Sequence, residues 1–134
     1  MKKQISTIER HELDYAVAVA DGRAAEISLS TKPLCFVPCE KPYDNYGRKE
    51  SWMVFDPSTN PAHGWPIIHR EQITIYSPAG FPQEKDWAAT KLGKFGASFA
   101  SDVTAFGPDG LVAAMRCFCI SRLGEWIEIP EVRT

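Results

Sequence analysis

The sequence has no apolar run that approaches the roughly 18 residues needed for a membrane-spanning helix. It also has no run of lysines and arginines, and 15 Lys+Arg against 17 Asp+Glu give a net charge of -2. Nucleic-acid-binding domains usually present a basic face, so direct binding of nucleic acid is disfavoured. No apolar segment of the kind found in secretory signals follows Met1-Lys2-Lys3-Gln4, which predicts a cytoplasmic protein that is not attached to a membrane.

Cysteine is scarce, with Cys35, Cys39, Cys117 and Cys119 as its four positions. Without a secretion signal these thiols are expected to be reduced. Neither pair has the C-x₂-C spacing typical of structural zinc sites, and residues two apart on a helix point about 200° apart. A cysteine nucleophile assisted by a distant histidine has no local motif in its favour. The sequence therefore predicts no metal and no cofactor.

Hydrophobic periodicity predicts a helix near each end of the chain. The first is expected within the first 22 residues, because Ser6-Thr7-Ile8-Glu9 is a capping box and Gly22 suits the position after a helix. The second is expected to begin after Asp109, with an apolar stripe along one face, and to end at Gly124.

Alternating polar and apolar residues predict short strands between and after these helices, at residues 26–30, 51–55, 72–77 and 126–129. Three prolines predict an irregular segment over residues 31–49. A short helix is predicted from Pro66 to Glu71, because proline is favoured in the first turn of a helix. Residues 78–107 are predicted as strand or loop. Since the order has no βαβ alternation, we expect one α+β domain over residues 1–134, in which both helices pack on a small, mostly antiparallel sheet.

Three segments resemble the NinX family, small proteins of lambdoid phages and prophages. They are Leu13-Asp14-Tyr15-Ala16-Val17-Ala18, then Pro57-Ser58-Thr59 with Gly64-Trp65-Pro66-Ile67-Ile68-His69-Arg70-Glu71, and then Gly107-Pro108 with Leu111-Val112-Ala113-Ala114-Met115-Arg116-Cys117-Phe118 and Leu123-Gly124. The chain departs from the family pattern at Trp65, where the family has glycine, and at Gly110, where it has proline. The resemblance implies an intracellular phage or prophage protein and implies no particular reaction.

The segment from Asp56 to Arg70 is the best candidate site, because it gathers hydroxyl, imidazole, indole and guanidinium groups. Hydroxyls and amides at a turn can hold an anion, and an arginine can fork to a phosphate or carboxylate. The candidate ligand-binding residues are Asp56, Ser58, Thr59, His63, Trp65, His69 and Arg70, joined by Arg116 from the last helix. A structural interpretation competes, in which Asp56 and Ser58 cap turns, Arg70 pairs with Glu71 or Asp14, and Arg116 forms a structural ion pair at the flank of an apolar stripe.

The leading functional hypothesis is a non-enzymatic accessory protein that binds a small anionic or nucleotide-like ligand, or a host protein, through the Asp56–Arg70 segment. No catalytic residue is assigned. One alternative is a small hydrolase with His63 or His69 as general base, which would need a nucleophile or a metal within hydrogen-bond reach. Another is an interaction module, such as a homodimer, that uses exposed aromatic residues of the segment from Pro33 to Arg48.

Overall fold

Three α-helices and eight short strands make up the part of this computed structural model that is described, residues 1–38, 52–80, 86–91 and 103–133. The helices are α1 (Arg10–Ala20), α2 (Pro61–Glu71) and α3 (Gly110–Leu123). The strands are β1 (Lys2–Gln4), β2 (Glu26–Leu29), β3 (Pro33–Pro38), β4 (Trp52–Val54), β5 (Thr74–Tyr76), β6 (Trp87–Lys91), β7 (Val103–Gly107) and β8 (Trp126–Glu128). The predicted α+β class is confirmed.

The strands form three small antiparallel sheets rather than the single sheet that was predicted. Their orders are β1-β8, β2-β3-β4 and β5-β6-β7. In the last of these, Ala89 pairs with Ala105, and both side chains are buried on the face that packs against α3. Because each sheet is narrow, the core depends on the helices that join the sheets, and α3 is the main one.

Helix α3 is buried on every side, so the predicted single apolar stripe is wrong. All side chains from Val112 to Cys119 are buried, because the β5-β6-β7 sheet packs against this helix together with α1 and α2. Its predicted ends are confirmed. The side chain of Asp109 accepts a hydrogen bond from the Val112 N–H at 2.8 Å, and Gly124 terminates the helix at φ 82°.

The N-terminal helix begins at Arg10, four residues later than the predicted capping box. Glu9 occupies the N-cap position without a side-chain hydrogen bond, and Ile5–Thr7 form a 3-10 turn. Strand β1 pairs with β8 through Lys3 and Ile127, and Ile5 is fully buried. Long-range strand pairing and burial therefore outweighed the local capping signal.

The start of α2 and the extent of β3 also differ from the predictions. In both elements a proline lies at the boundary, where a missing N–H breaks no hydrogen bond of the helix or sheet. Helix α2 begins at Pro61, not at Pro66, and the Asn60 side chain caps it by accepting a hydrogen bond from the Ala62 N–H at 3.0 Å. Strand β3 was predicted to be irregular, yet it carries its prolines, Pro33 and Pro38, only at its two ends.

Several predictions concern residues outside the described part of the chain. They include Cys39, the remainder of the predicted irregular segment at 39–49, and the stretch at 92–102. None of the described helices is long and apolar enough to cross a bilayer.

Candidate functional site

The loop before α2 is joined to α1 by a buried hydrogen bond. The Ser58 N–H donates to Oδ1 of Asp14 at 2.8 Å, and the two residues are only 1% and 4% exposed. The Ser58 hydroxyl lies close enough to the Asp14 carboxyl to lower its pKa, yet within the described residues it has no partner with hydrogen-bond geometry. Buried polar groups are seldom left unsatisfied, so this is an exceptional position in the core.

The Asp14 carboxyl titrates far from its ordinary range. Its pKa is raised from 3.8 to about 7, mainly by burial, and the nearby Asp56 carboxylate acts in the same direction. The Ser58 hydroxyl and N–H act in the opposite direction and lower this pKa, but they offset only part of the rise caused by burial. The sequence offered one signal for this residue, its place beside Leu13 in the first family-like segment.

Asp56 and His63 form a pair across the start of α2. Nδ1 of His63 lies 2.9 Å from Oδ1 of Asp56 and 3.2 Å from the Asp56 backbone nitrogen. A protonated Nδ1 donates to the carboxylate, whereas an unprotonated Nδ1 accepts from the N–H. Asn60 donates to the same carboxylate oxygen at 3.1 Å, and the imidazole stacks on Phe55 with ring centroids 5.5 Å apart. Local contacts therefore hold both candidate residues.

Gly64 allows α2 to approach the preceding loop closely. A Cβ at this position would lie 2.6 Å from the Pro57 carbonyl oxygen and 2.6 Å from Cδ1 of Leu111, shorter than real Cβ contacts. Its absence lets the inner face of α2, with Ile67 and Ile68 buried, seat against the core. This approach places Pro57 and Gly64, both from the second family-like segment, in direct proximity.

Arg70 lies at the end of α2 and bridges two carboxylates. Its Nη2 donates to Oδ1 of Asp21 at 2.7 Å, and its Nε donates to Oε2 of Glu71 at 3.0 Å. The predicted pairing with Glu71 is present, whereas the second partner is Asp21 and not Asp14. The Arg70 side chain remains 48% exposed, so it keeps access to solvent.

Glu71 forms ion pairs with cationic side chains from three elements. Besides Arg70, Nζ of Lys91 donates to its Oε1 at 2.7 Å, and Nη2 of Arg122 donates to the same oxygen at 3.0 Å. Burial raises the pKa of this carboxyl, but the hydrogen bonds from Lys91, Arg70 and Arg122 outweigh that effect and lower the pKa to about 2. Glu71 is therefore ionised at neutral pH.

The cations around Glu71 form a partly exposed basic cluster that no sequence pattern indicated. The guanidinium groups of Arg70 and Arg122 lie over the Phe118 ring, 5.8 and 5.4 Å from its centroid. These two residues and Lys91 come from α2, α3 and β6, so they are distant in sequence. We call Arg70, Arg122 and Lys91 the basic cluster.

Arg116 is engaged elsewhere in the core and is 7% exposed. Its Nε and Nη2 donate to the Ile8 carbonyl at 3.3 and 3.0 Å, and its Nη1 donates to the Phe106 carbonyl at 2.8 Å. Glu9 lies 3.6 Å from Nη2. Every guanidinium nitrogen thus faces main-chain oxygen, and this geometry fits the structural interpretation of Arg116.

The other three candidates, Thr59, Trp65 and His69, are exposed. Trp65 is 60% exposed and stands on the outward side of α2. The exposed residues of this side are Pro61, Ala62, Trp65, Pro66, His69 and Arg70, and we call them the outer face of α2. The outer face therefore presents an indole and two prolines beside an imidazole and a guanidinium.

The described cysteines are poor nucleophiles and poor metal ligands. Burial raises the pKa of Cys35 to about 12, with the Asp14 charge adding to the effect, and burial raises the pKa of Cys117 to about 11. Cys119 is fully buried, and its pKa is raised in the same direction. Within the described ranges, no group of three or more histidine, cysteine or acidic side chains is placed to hold a metal ion.

The family match covers most of the chain. A family model described as "Bacteriophage P22, NinX" matches residues 4–122. The chain belongs to the NinX family. The resemblance carried by the three sequence segments is thereby confirmed, and a NinX chain is a phage accessory protein. The matched NinX region contains the Asp14–Ser58 contact, the whole of α2 and nearly all of α3. No curated protein gives a significant match.

Proposed function

We propose that this NinX chain acts by binding an acidic surface of a host protein through the outer face of α2. The observation that carries the proposal is the exposure of Trp65, which is 60% accessible on an ordered helix. Tryptophan and arginine are the residues most enriched among those that dominate binding energy in protein interfaces. A tryptophan flanked by exposed Pro61 and Pro66 is the composition expected of such an anchor.

The rigidity of α2 favours binding, because little freedom would be lost when a partner docks. The Asn60 cap fixes its first turn, and Ile67 and Ile68 are buried beneath it. At its end, Arg70 is tied to Asp21 and Glu71. The outer face is therefore held in one orientation before any partner arrives.

The charge beside this face defines the chemistry of the partner. Arg70 and Arg122 are 48% and 46% exposed, and each guanidinium has five N–H donors, more than its intramolecular bonds use. A basic cluster on a chain of net charge -2 favours an acidic patch on the partner. Charged groups at the edge of an interface act mainly on association rate and specificity.

The polar residues of the same segment support a protein partner more than a small anion. Ser58 is 1% exposed, while Asp56 and His63 are paired with each other. The Ser58 side chain is therefore inaccessible, and Oδ1 of Asp56 and Nδ1 of His63 already have partners. A small ligand needs several convergent polar groups in a concave site, whereas Trp65 stands on the convex surface of a helix.

Replacing Trp65 by alanine is expected to abolish partner binding and leave the fold intact. The test is affinity capture from lysate of the host bacterium, with quantitative mass spectrometry of the retained proteins. Trp126→Ala is the matched control, because Trp126 is similarly exposed at 50% but lies on β8. We expect a protein with an acidic surface to be retained by the wild type and by Trp126→Ala, and to fall at least tenfold with Trp65→Ala.

The charge component of the interface is tested with Arg122→Glu and with salt. The substitution should weaken capture of the same protein because it replaces a positive charge by a negative one. Added salt should weaken it too, because surface charges are screened beyond roughly 10 Å at 0.1 M salt. Identical retained proteins for the wild type and Trp65→Ala would overturn the proposal. An added small-molecule mass in native mass spectrometry, lost with Arg70→Ala, would instead favour the small anionic ligand.

A hydrolase is the second candidate, and the Asp56–His63 geometry is what favours it. The carboxylate faces Nδ1 at 2.9 Å, the arrangement that orients a general-base histidine, and Nε2 has no hydrogen-bond partner in the described part of the chain. The buried Ser58 hydroxyl makes no hydrogen bond to it. If the chain is a hydrolase, His63→Ala should remove turnover of 4-nitrophenyl acetate while His69→Ala retains it. Equal rates in the wild type and both variants would exclude this role for His63.

A further inference from the structure

The chain that follows β8 lies along the free edge of β2. Ser28 and Arg133 form a parallel bridge, in which the Leu29 N–H donates to the Arg133 carbonyl and the Arg133 N–H donates to the Ile27 carbonyl, both at 2.8 Å. The opposite edge of β2 pairs with β3. Among the described residues, Arg133 alone thus covers an edge that would otherwise offer unpaired main-chain groups.

This covering segment is anchored firmly only up to Ile129. Ile129 is 5% exposed, and its N–H donates to the Met1 carbonyl at 2.9 Å. Pro130 has no N–H to donate, and all of residues 130–133 are exposed. We call residues 130–133 the strap. Its main-chain attachment to the rest of the described structure consists of the two hydrogen bonds of Arg133.

The side chains of the strap add little to this attachment. Nη1 of Arg133 donates to Oε2 of Glu26 at 3.0 Å, but the Arg133 side chain is 75% exposed. Ion pairs this exposed contribute little to stability, because water competes for both charges. The strap is therefore held mainly by backbone pairing, which another extended chain could provide equally well.

A cavity of about 250 Å³ lies beside the strap, so the strap does not pack tightly on the core. Tyr15 from α1 lines it, together with Ala25, Glu26 and Ile27 at β2, and strap residues close its other side. The wall that does not belong to the strap combines polar and apolar groups, since the Glu26 carboxylate lies beside Tyr15 and Ala25. An apolar side chain from an incoming strand would occupy part of this volume, contact Tyr15 and Ala25, and remove apolar surface from water.

We propose that the strap is displaceable and that the β2 edge is a strand-addition site for an extended segment of another protein. The incoming strand would accept a hydrogen bond from the Leu29 N–H and donate one to the Ile27 carbonyl. A basic residue would replace Arg133 opposite Glu26, and an apolar side chain would enter the cavity. Main-chain pairing with pockets for alternate side chains is an established mode of peptide recognition. This surface is separate from the outer face of α2 and does not depend on the function proposed for it.

The test weakens the strap without touching the β2 edge. Arg133→Pro removes the N–H that donates to the Ile27 carbonyl, so the strap should detach more often. Val132→Pro is the matched control, since the Val132 N–H makes no hydrogen bond within the described residues. The probe is a synthetic peptide with the sequence of residues 129–134, whose binding to each chain is measured by fluorescence anisotropy and at the Leu29 amide by NMR.

We expect Arg133→Pro to bind the probe at least tenfold more tightly than the wild type and Val132→Pro, because the strap competes with the peptide from a high effective concentration. The Leu29 amide should also exchange faster in Arg133→Pro, and a probe with glutamate in place of its arginine should bind more weakly. Equal affinities for all three chains would overturn the proposal. So would a dimer of Arg133→Pro in light scattering, because a second copy would then be the occupant.

Discussion

Replacing Arg116 by methionine is expected to lower the free energy of unfolding by roughly 3–5 kcal/mol. The guanidinium donates to the carbonyls of Ile8 and Phe106, and the residue is 7% exposed. Methionine fills part of the volume but leaves both carbonyls without their donors in the core. The measurement is urea unfolding followed by tryptophan fluorescence and circular dichroism.

Arg122→Met is the matched control for this experiment. Arg122 lies on the same helix, but its side chain is 46% exposed and its partner Glu71 keeps Arg70 and Lys91. We therefore expect a loss below about 1 kcal/mol, as for other exposed ion pairs. Equal losses for Arg116→Met and Arg122→Met would contradict the structural role of Arg116 and return it to consideration as a site residue.

Replacing Asp14 by asparagine is expected to stabilise the chain at pH 8 and to change little at pH 4. The amide oxygen keeps the acceptor for the Ser58 N–H, which lies 2.8 Å from Oδ1, and the amide N–H₂ supplies a donor beside the unsatisfied Ser58 hydroxyl. The substitution also removes a buried negative charge. The expected gain at pH 8 is roughly 2–4 kcal/mol, since each pKa unit corresponds to about 1.4 kcal/mol.

The pH dependence follows from the raised pKa of Asp14, about 7 in the folded chain against the ordinary 3.8. At a pH below 3.8 the Asp14 carboxyl is protonated in both the folded and the unfolded chain, so it does not lower the free energy of unfolding. As the pH rises towards 7 the unfolded chain has lost its proton while the folded chain retains it, so stability falls. Above 7 the folded carboxyl is also ionised, and the loss stays constant.

Asp109→Asn serves as the control for Asp14→Asn. Its carboxylate also accepts a main-chain N–H at 2.8 Å, but the residue is exposed, and asparagine caps a helix as well as aspartate does. Its stability should therefore match that of the wild type at every pH tested. Urea unfolding at pH 4, 6 and 8 gives the comparison. A gain for Asp14→Asn that is the same at all three values would show that the effect is not due to ionisation.

The candidate site was only partly predictable from sequence. Its limits from Asp56 to Arg70 followed from the density of turn and functional residues, and Ile67 and Ile68 were correctly placed in the core. The division of roles within it was not predictable. The rotation of α2 against α3 decides that His63 faces Asp56 and that Trp65 faces solvent. That rotation depends in turn on the close approach of the two helices at Gly64.

The sequence by itself determined the α+β class, the NinX family, the capped ends of α3 and four of the eight short strands. These features depend on residues close together in the chain, such as the Asp109 carboxylate and the Val112 N–H. Only the tertiary structure decided the pairing of β1 with β8, the burial of α3 from Val112 to Cys119, the partners of Asp14 and the cations around Glu71. Each of these joins residues far apart in sequence, where burial and desolvation, which no local pattern encodes, decide which contacts form.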